Sequence, residues 1–164
     1  LIISLSDNNI WPALILTGIA CLLLGMEVPT TAAYVICVSV AGPALVDMGL
    51  ELLQVHLFVF WFALLSTITP PVCGTVFIAS GMVSENWLKV SLTSMSLGIG
   101  LYFIPLSMIA NDAVIKLDSN FLHAIIAFFK IAVSLVLLSY AFISNNLIIL
   151  KIIAFGLGMF VMFV

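Results

Sequence analysis

The amino-acid sequence predicts an all-α integral membrane protein, and three observations carry that prediction. The first is composition. Of 164 residues, 65% are hydrophobic and only 7% are charged, with a mean hydropathy of +1.40. Soluble domains are about half apolar and about a quarter charged. Four basic and seven acidic side chains cannot cover a water-facing surface. Such a surface is stable only against lipid or other helices. The second observation is segmentation, with apolar runs alternating with short polar joints. The third is the way two of those runs are interrupted, by proline beside threonine.

A full helical span needs about 20 apolar residues, because the hydrocarbon core is roughly 30 Å thick and each residue rises about 1.5 Å. Residues 13–26 are apolar but short, and Glu27-Val28-Pro29-Thr30-Thr31 interrupts them. Residues 32–46 are short again, with Gly42-Pro43 expected to bend their end. A polar joint follows over 47–54. Residues 55–68 run into Thr69-Pro70-Pro71, 72–82 resume, and Val83-Ser84-Glu85-Asn86 closes the unit. Each arm is too short to cross alone. Two consecutive prolines lack donors and clash with the preceding turn. Backbone groups freed at membrane depth must find partners in protein or in a water-filled cavity.

The first half therefore predicts a re-entrant helical hairpin over 11–50, with its tip near 25–31. It also predicts a discontinuous helix over 51–86, broken at 66–74. The second half reads as ordinary spans: one transmembrane helix over 87–112 and two trailing ones within 113–164. Lys130 is the only charge in residues 121–143, and Lys151 lies near the start of the last span, where it can snorkel. Asn111 and Asp112 are expected to cap a helix end. The chain starts at Leu1 without a charged n-region or a small-residue cleavage site, so no signal peptide is expected. It ends inside an apolar run, and it reads as a fragment of a longer protein.

Paired, proline-interrupted short segments are the sequence pointer to a midplane binding site in secondary transporters. Exposed half-helix termini supply partial charges there. In Ser66-Thr67-Ile68-Thr69-Pro70-Pro71, three hydroxyls sit beside carbonyls released by proline. Such oxygens are hard ligands and suit a small hard cation, with sodium the natural candidate. A proline kink whose hydroxyls satisfy the backbone accounts for the same residues, and spacing leaves both readings open. Glu27 is the only acid between Asp7 and Asp47. It is either a functional carboxylate at membrane depth or an interfacial one facing water. Thr30 and Thr31 cap the following helix or line an ion site. His56 reads as an interfacial or packing histidine, with proton coupling the sharper alternative.

Other classes find little support. There is no basic stripe for nucleic acid. No P-loop, GxGxxG, HExxH or GxSxG pattern occurs, so neither an enzyme nor a nucleotide-driven pump is expected. Cys21, Cys37 and Cys73 lack metal spacing and read as packing residues. A channel would need a continuous polar stripe, which the spans lack. A structural or assembly subunit stays open beside transport.

The stretch from His56-Leu57-Phe58-Val59-Phe60-Trp61-Phe62 through Ser66-Thr67-Ile68-Thr69-Pro70-Pro71-Val72 resembles the large membrane subunit of tripartite ATP-independent periplasmic (TRAP) transporters. Gly25-Met26-Glu27-Val28-Pro29-Thr30-Thr31-Ala32-Ala33-Tyr34 upstream and Ala79-Ser80-Gly81-Met82 downstream fit as well. The likeness is closest to TAXI-type fused permeases and covers residues 14–109. The last two spans match only in placement and hydropathy.

The resemblance implies an elevator-type transporter of inverted repeats, with this chain its C-terminal portion: the second repeat plus trailing helices. It implies that the loops containing Gly25, Glu27, Pro29, Thr30 and Thr31, and Ser66, Thr67, Thr69, Pro70, Pro71 and Gly74, hold a sodium ion and one side of the substrate cavity. Thr30, Thr67 and Thr69, with Ser66, are the expected oxygen donors. It implies import of organic acids, C4-dicarboxylate-like or related carboxylates, across a bacterial or archaeal inner membrane by sodium symport. The implied partners are a periplasmic TAXI-type binding protein, the remaining half of the permease, and a small membrane subunit or its fused equivalent. No cofactor beyond the coupling ion is implied, and this chain alone should be inactive. Two departures stand out. Glu27 replaces a neutral residue or Asp, and Cys73-Gly74 replaces glycine directly after Pro-Pro-Val.

Overall fold

The computed structural model describes residues 6–7, 9–26, 28–116, 121–144 and 147–163. Among these the protein is all-helical: eight α-helices, one 3-10 turn and no strand. The chain divides into two compact units, one up to Ser94 and one from Met95.

The first unit opens with α1 (Ile10–Leu24), whose first turn is capped by Asn9 accepting from the Trp11 backbone N–H at 3.2 Å. It ends where the Gly25 N–H closes on the Cys21 carbonyl at 3.0 Å. Helix α2 (Thr30–Asp47) starts from Pro29, whose carbonyl accepts from Ala32 and Ala33. Proline suits a helix entrance because its missing donor would be unpaired there anyway. Thr30 and Thr31 are thus the first helical residues and not caps.

Helix α2 does not stop at Gly42-Pro43. Proline forfeits one backbone bond, but Ala33, Cys37, Ala41 and Leu45 form a continuous buried stripe that holds the helix to Asp47. At 18 residues, α2 is long and apolar enough to cross a membrane, so not every arm of the first half is too short. Gly49, at φ +99°, then reverses the chain, and the Leu50 N–H returns to the Leu45 carbonyl at 3.2 Å. Glycine adopts this backbone without steric cost.

Helix α3 (Leu52–Leu65) begins with a capping box in which the Glu51 N–H donates to Gln54 Oε1 at 3.0 Å. It packs on both α1 and α2. Val55, Phe58, Val59 and Ala63 are essentially inaccessible, and the Phe62 ring lies against Gly18, where a Cβ would come within 3.1 Å. Residues 66–73 are not helical. Helix α4 (Gly74–Val83) resumes beyond them, and α5 (Trp87–Leu97) follows, with Trp87 stacked near Phe77 at 4.9 Å.

The expected single helix over 87–112 is interrupted. Helix α6 (Ile99–Ala110) starts after Gly98, at φ −90° and ψ 14°. Glycine costs about 1 kcal/mol in a helix interior, and Pro105 withholds a further backbone donor from the same stretch. Counted as one span, α5 and α6 raise the membrane-crossing candidates from two to three. In the second unit, Asn111 follows α6 and ties two helix ends, donating through Nδ2 to the Ser107 carbonyl at 3.3 Å and the Met162 carbonyl at 2.8 Å. A 3-10 turn (Asp112–Val114) leads on to α7 (Phe121–Ile143) and α8 (Ile148–Phe163). Helices α7 and α8 pack closely at Gly158, where a Cβ would meet Leu138 at 3.1 Å and the Ser134 carbonyl at 3.2 Å. Small residues at such crossings let apolar helices associate without a hydrophobic driving force.

Candidate functional site

Both interruptions of the first half lie in the first unit, and they touch. Gly25, buried just after α1, faces Ser66, the first residue after α3. A Cβ at Gly25 would lie 2.8 Å from the Ser66 Cβ and nearer still to its hydroxyl. Only hydrogen fits between them, which makes this one of the positions where glycine is required by a close approach.

The loop over 66–73 is held by hydroxyls. Ser66 is fully buried, and its Oγ donates to the Ala63 carbonyl at 2.7 Å. Thr67 Oγ1 donates to the Leu64 carbonyl at 2.8 Å, and the buried Thr69 Oγ1 to the Leu65 carbonyl at 2.7 Å. These bonds reach the last carbonyls of α3, where the Thr67 and Ile68 N–H groups also close on the Leu64 and Leu65 carbonyls at 3.2 Å. Each hydroxyl spends its single proton locally, and a hydroxyl oxygen can also accept. The result is an oxygen-only donor set, which fits a hard monovalent cation better than a soft metal.

Two further side chains pin the far side of the loop. Thr75 Oγ1, at the start of α4, donates to the Thr67 carbonyl at 2.7 Å. Ser91 Oγ, buried on α5, lies 3.4 Å from the Ile68 carbonyl and 3.6 Å from Cys73 Sγ. Sequence reasoning missed both. Thr75 carried a usable signal, a hydroxyl in the first turn after the break, whereas Ser91 sits in a helix with nothing to mark it.

The remaining expected site residues are placed less compactly. Thr30 is half-buried and Thr31 exposed, and among the described residues neither side chain makes a hydrogen bond. Pro29 and Pro71 are exposed, Pro70 is half-buried, and Gly74 is already the first residue of α4, with open space where a Cβ would be. The Pro70-Pro71 peptide is cis. Glu27 lies outside the described residues. The structure thus brings Gly25 against Ser66 and gathers Ser66, Thr67 and Thr69 on one loop. It does not bond Thr30 or Thr31 to that loop.

His56 is half-buried on α3, and Tyr34 on α2 reaches its Nδ1 at 2.6 Å. Phe60 stands edge-on to the Tyr34 ring at 5.8 Å. The packing histidine of the sequence therefore has a specific polar partner, which residue spacing did not reveal.

The family model described as tripartite ATP-independent periplasmic transporter, DctM component, matches residues 1–123 of the chain. The match spans both interruptions and α5 and α6, and it stops at the start of α7. No curated protein and no solved structure matches the chain significantly.

Proposed function

Because the chain belongs to the DctM component family of tripartite ATP-independent periplasmic transporters, we propose that its two interrupted segments form one side of an ion and substrate site in a secondary active permease. The permease imports organic acids, C4-dicarboxylate-like or related carboxylates, by sodium symport across a bacterial or archaeal inner membrane. A periplasmic binding protein of the TAXI type delivers the substrate. The remaining half of the permease and a small membrane subunit, or its fused equivalent, complete the machine.

The observation that carries this reading is the contact between Gly25 and Ser66. It joins two breaks that lie about forty residues apart in sequence at one place in the fold, as a shared site requires. Ser66, Thr67 and Thr69 supply hydroxyl oxygens beside the end of α3, where the partial negative charge of a helix C-terminus favours a cation. In this reading Thr30, at the α2 entrance, and backbone carbonyls complete the coordination when the ion binds. The N-terminus of α2 follows the first interruption directly, and a helix N-terminus there would favour a substrate carboxylate. The segment over 11–50 acts as a re-entrant hairpin and 51–86 as the discontinuous helix of the second inverted repeat. Alternating access follows when ion and substrate favour the same state of the transport body.

The hydrogen bonds from Ser66, Thr67 and Thr69 would also suit a purely structural loop in a non-transporting subunit. Sodium dependence separates the two readings. In the assembled transporter, Thr69→Val should raise the sodium concentration for half-maximal uptake by about tenfold, the equivalent of ~1.4 kcal/mol. Thr69→Ser, which keeps the oxygen, should stay near the unmodified value. Unchanged sodium dependence in a well-expressed Thr69→Val protein removes Thr69 from the ligand set. Sodium-independent uptake by the unmodified transporter removes sodium itself.

A further inference from the structure

Helix α7 carries one charge, Lys130, the tenth of its 23 residues. The helix is long and apolar enough to cross a membrane. At about 1.5 Å per residue, Lys130 lies roughly 14 Å from one end of the helix and roughly 20 Å from the other. Ser119-Asn120 and Ser144-Asn145-Asn146 bracket the apolar run in sequence, so the span's own ends set the depth of the lysine. A four-carbon stem covers less than half of the shorter distance, and snorkelling does not bring this ammonium to the surface. Lys151, the fourth residue of α8, has no such difficulty. An ionised group this deep in a span is costly and calls for an opposite charge beside it.

No described residue supplies that charge. The Lys130 side chain is half-buried, and among the described residues it makes no ion pair or hydrogen bond. Every described carboxylate sits at a helix end or between helices: Asp7 before α1, Asp47 at the last residue of α2, Glu51 before α3, Glu85 before α5 and Asp112 in the 3-10 turn. Glu85 and Asp112 already pair with Lys89 and Lys116. On α7 itself, Ala127 and Ser134, at i−3 and i+4 from the lysine, belong to the buried stripe. Ile126 and Val133, at i−4 and i+3, are exposed. Lys130 therefore stands at the border between the packed face and an open one. Ala132, Val133, Val136 and Leu137 shape a shallow apolar depression of about 250 Å³ on that open side.

We infer that the open face of α7 docks another membrane-spanning helix of the assembled transporter, outside residues 1–164, whose mid-span Asp or Glu pairs with Lys130. Charge complementarity selects this occupant. Lipid tails offer no acceptor at mid-span, and headgroup phosphates lie at the membrane surface. A second copy of α7 brings only another lysine. A carboxylate on a neighbouring helix meets the ammonium at its own depth, and the pair is charge-assisted on both sides. The component belongs to a tripartite assembly, and Lys130 lies beyond the residues that the family model matches. The inference does not depend on sodium or on the imported substrate.

Thermal unfolding of the assembled transporter in lipid nanodiscs separates the outcomes by sign. Removing one partner of a buried pair orphans the other, so Lys130→Met should lower the midpoint by about 5 °C or more. Lys130→Arg, which keeps the charge, should stay near the unmodified value. An unpaired lysine only burdens a span, so an unchanged or raised midpoint in Lys130→Met would overturn the inference. The same midpoint with a higher half-saturating substrate concentration would assign Lys130 to the substrate, and it overturns the inference equally. Lys130→Glu should be impaired like Lys130→Met, and changing one mid-span Asp or Glu outside residues 1–164 to Lys should restore it. If no such change restores it, or only Glu27→Lys does, the pairing across helices is refuted.

Discussion

Gly25 and Ser66 set the tightest steric constraint between the two interrupted segments. Ser66 cannot retreat easily, because it is fully buried and bonded to the Ala63 carbonyl. Gly25→Ala should therefore push the segments apart and destabilise their contact by about 1–3 kcal/mol, as overpacking does in well-filled interiors. The expected readout is a loss of sodium-dependent uptake at normal membrane levels. Ser66→Gly should restore part of it in the double variant, because the two positions share one contact and their effects are not additive. If the double variant is as impaired as the sum of the singles, the contact does not couple the segments. Neither residue announces this from sequence. Gly25 sits in an apolar run and Ser66 in a hydroxyl-rich one, and a contact between distant segments leaves no mark in local spacing.

At the scale of elements, the break between α3 and α4 was legible because its cause is local. Pro70 and Pro71 lack backbone donors wherever they stand, so a helix through both is disfavoured by about 3 kcal/mol or more. The break at Gly98 was not legible, because a lone glycine costs only about 1 kcal/mol and most helices absorb it. The arm over 32–46 was legible as one apolar run, and α2 continues through Pro43 to Asp47 on the buried stripe of Ala33, Cys37, Ala41 and Leu45. Thr75 offers a test of how the loop is held. Thr75→Val removes the donor to the Thr67 carbonyl and should weaken the loop by about 1 kcal/mol. Its expected signature is faster proteolysis or hydrogen exchange over residues 66–73, with α1 unaffected. Equal exchange would show that the Thr67 carbonyl is held by other means.

On the scale of the whole molecule, composition and the segmentation of apolar runs identified an all-helical membrane protein, and the family match supports a transporter component. The division into two units was not visible in hydropathy, which reads the runs after Trp87 as equivalent spans. Every expected site residue falls in the first unit. Disturbing the second unit should therefore lower folding yield without altering ion affinity. Gly158→Leu, which would collide with Leu138 and the Ser134 carbonyl, should reduce the amount of transporter recovered. The surviving fraction should keep an unmodified sodium requirement.

The central claim is that the loop over 66–73 binds the coupling ion, and equilibrium binding of radioactive sodium to the purified, assembled transporter tests it most directly. The account predicts saturable binding by the unmodified protein, at least about tenfold weaker binding by Thr67→Val/Thr69→Val, and unmodified affinity in Asn111→Ala. Equal sodium affinity in the loop variant and the unmodified protein would contradict it.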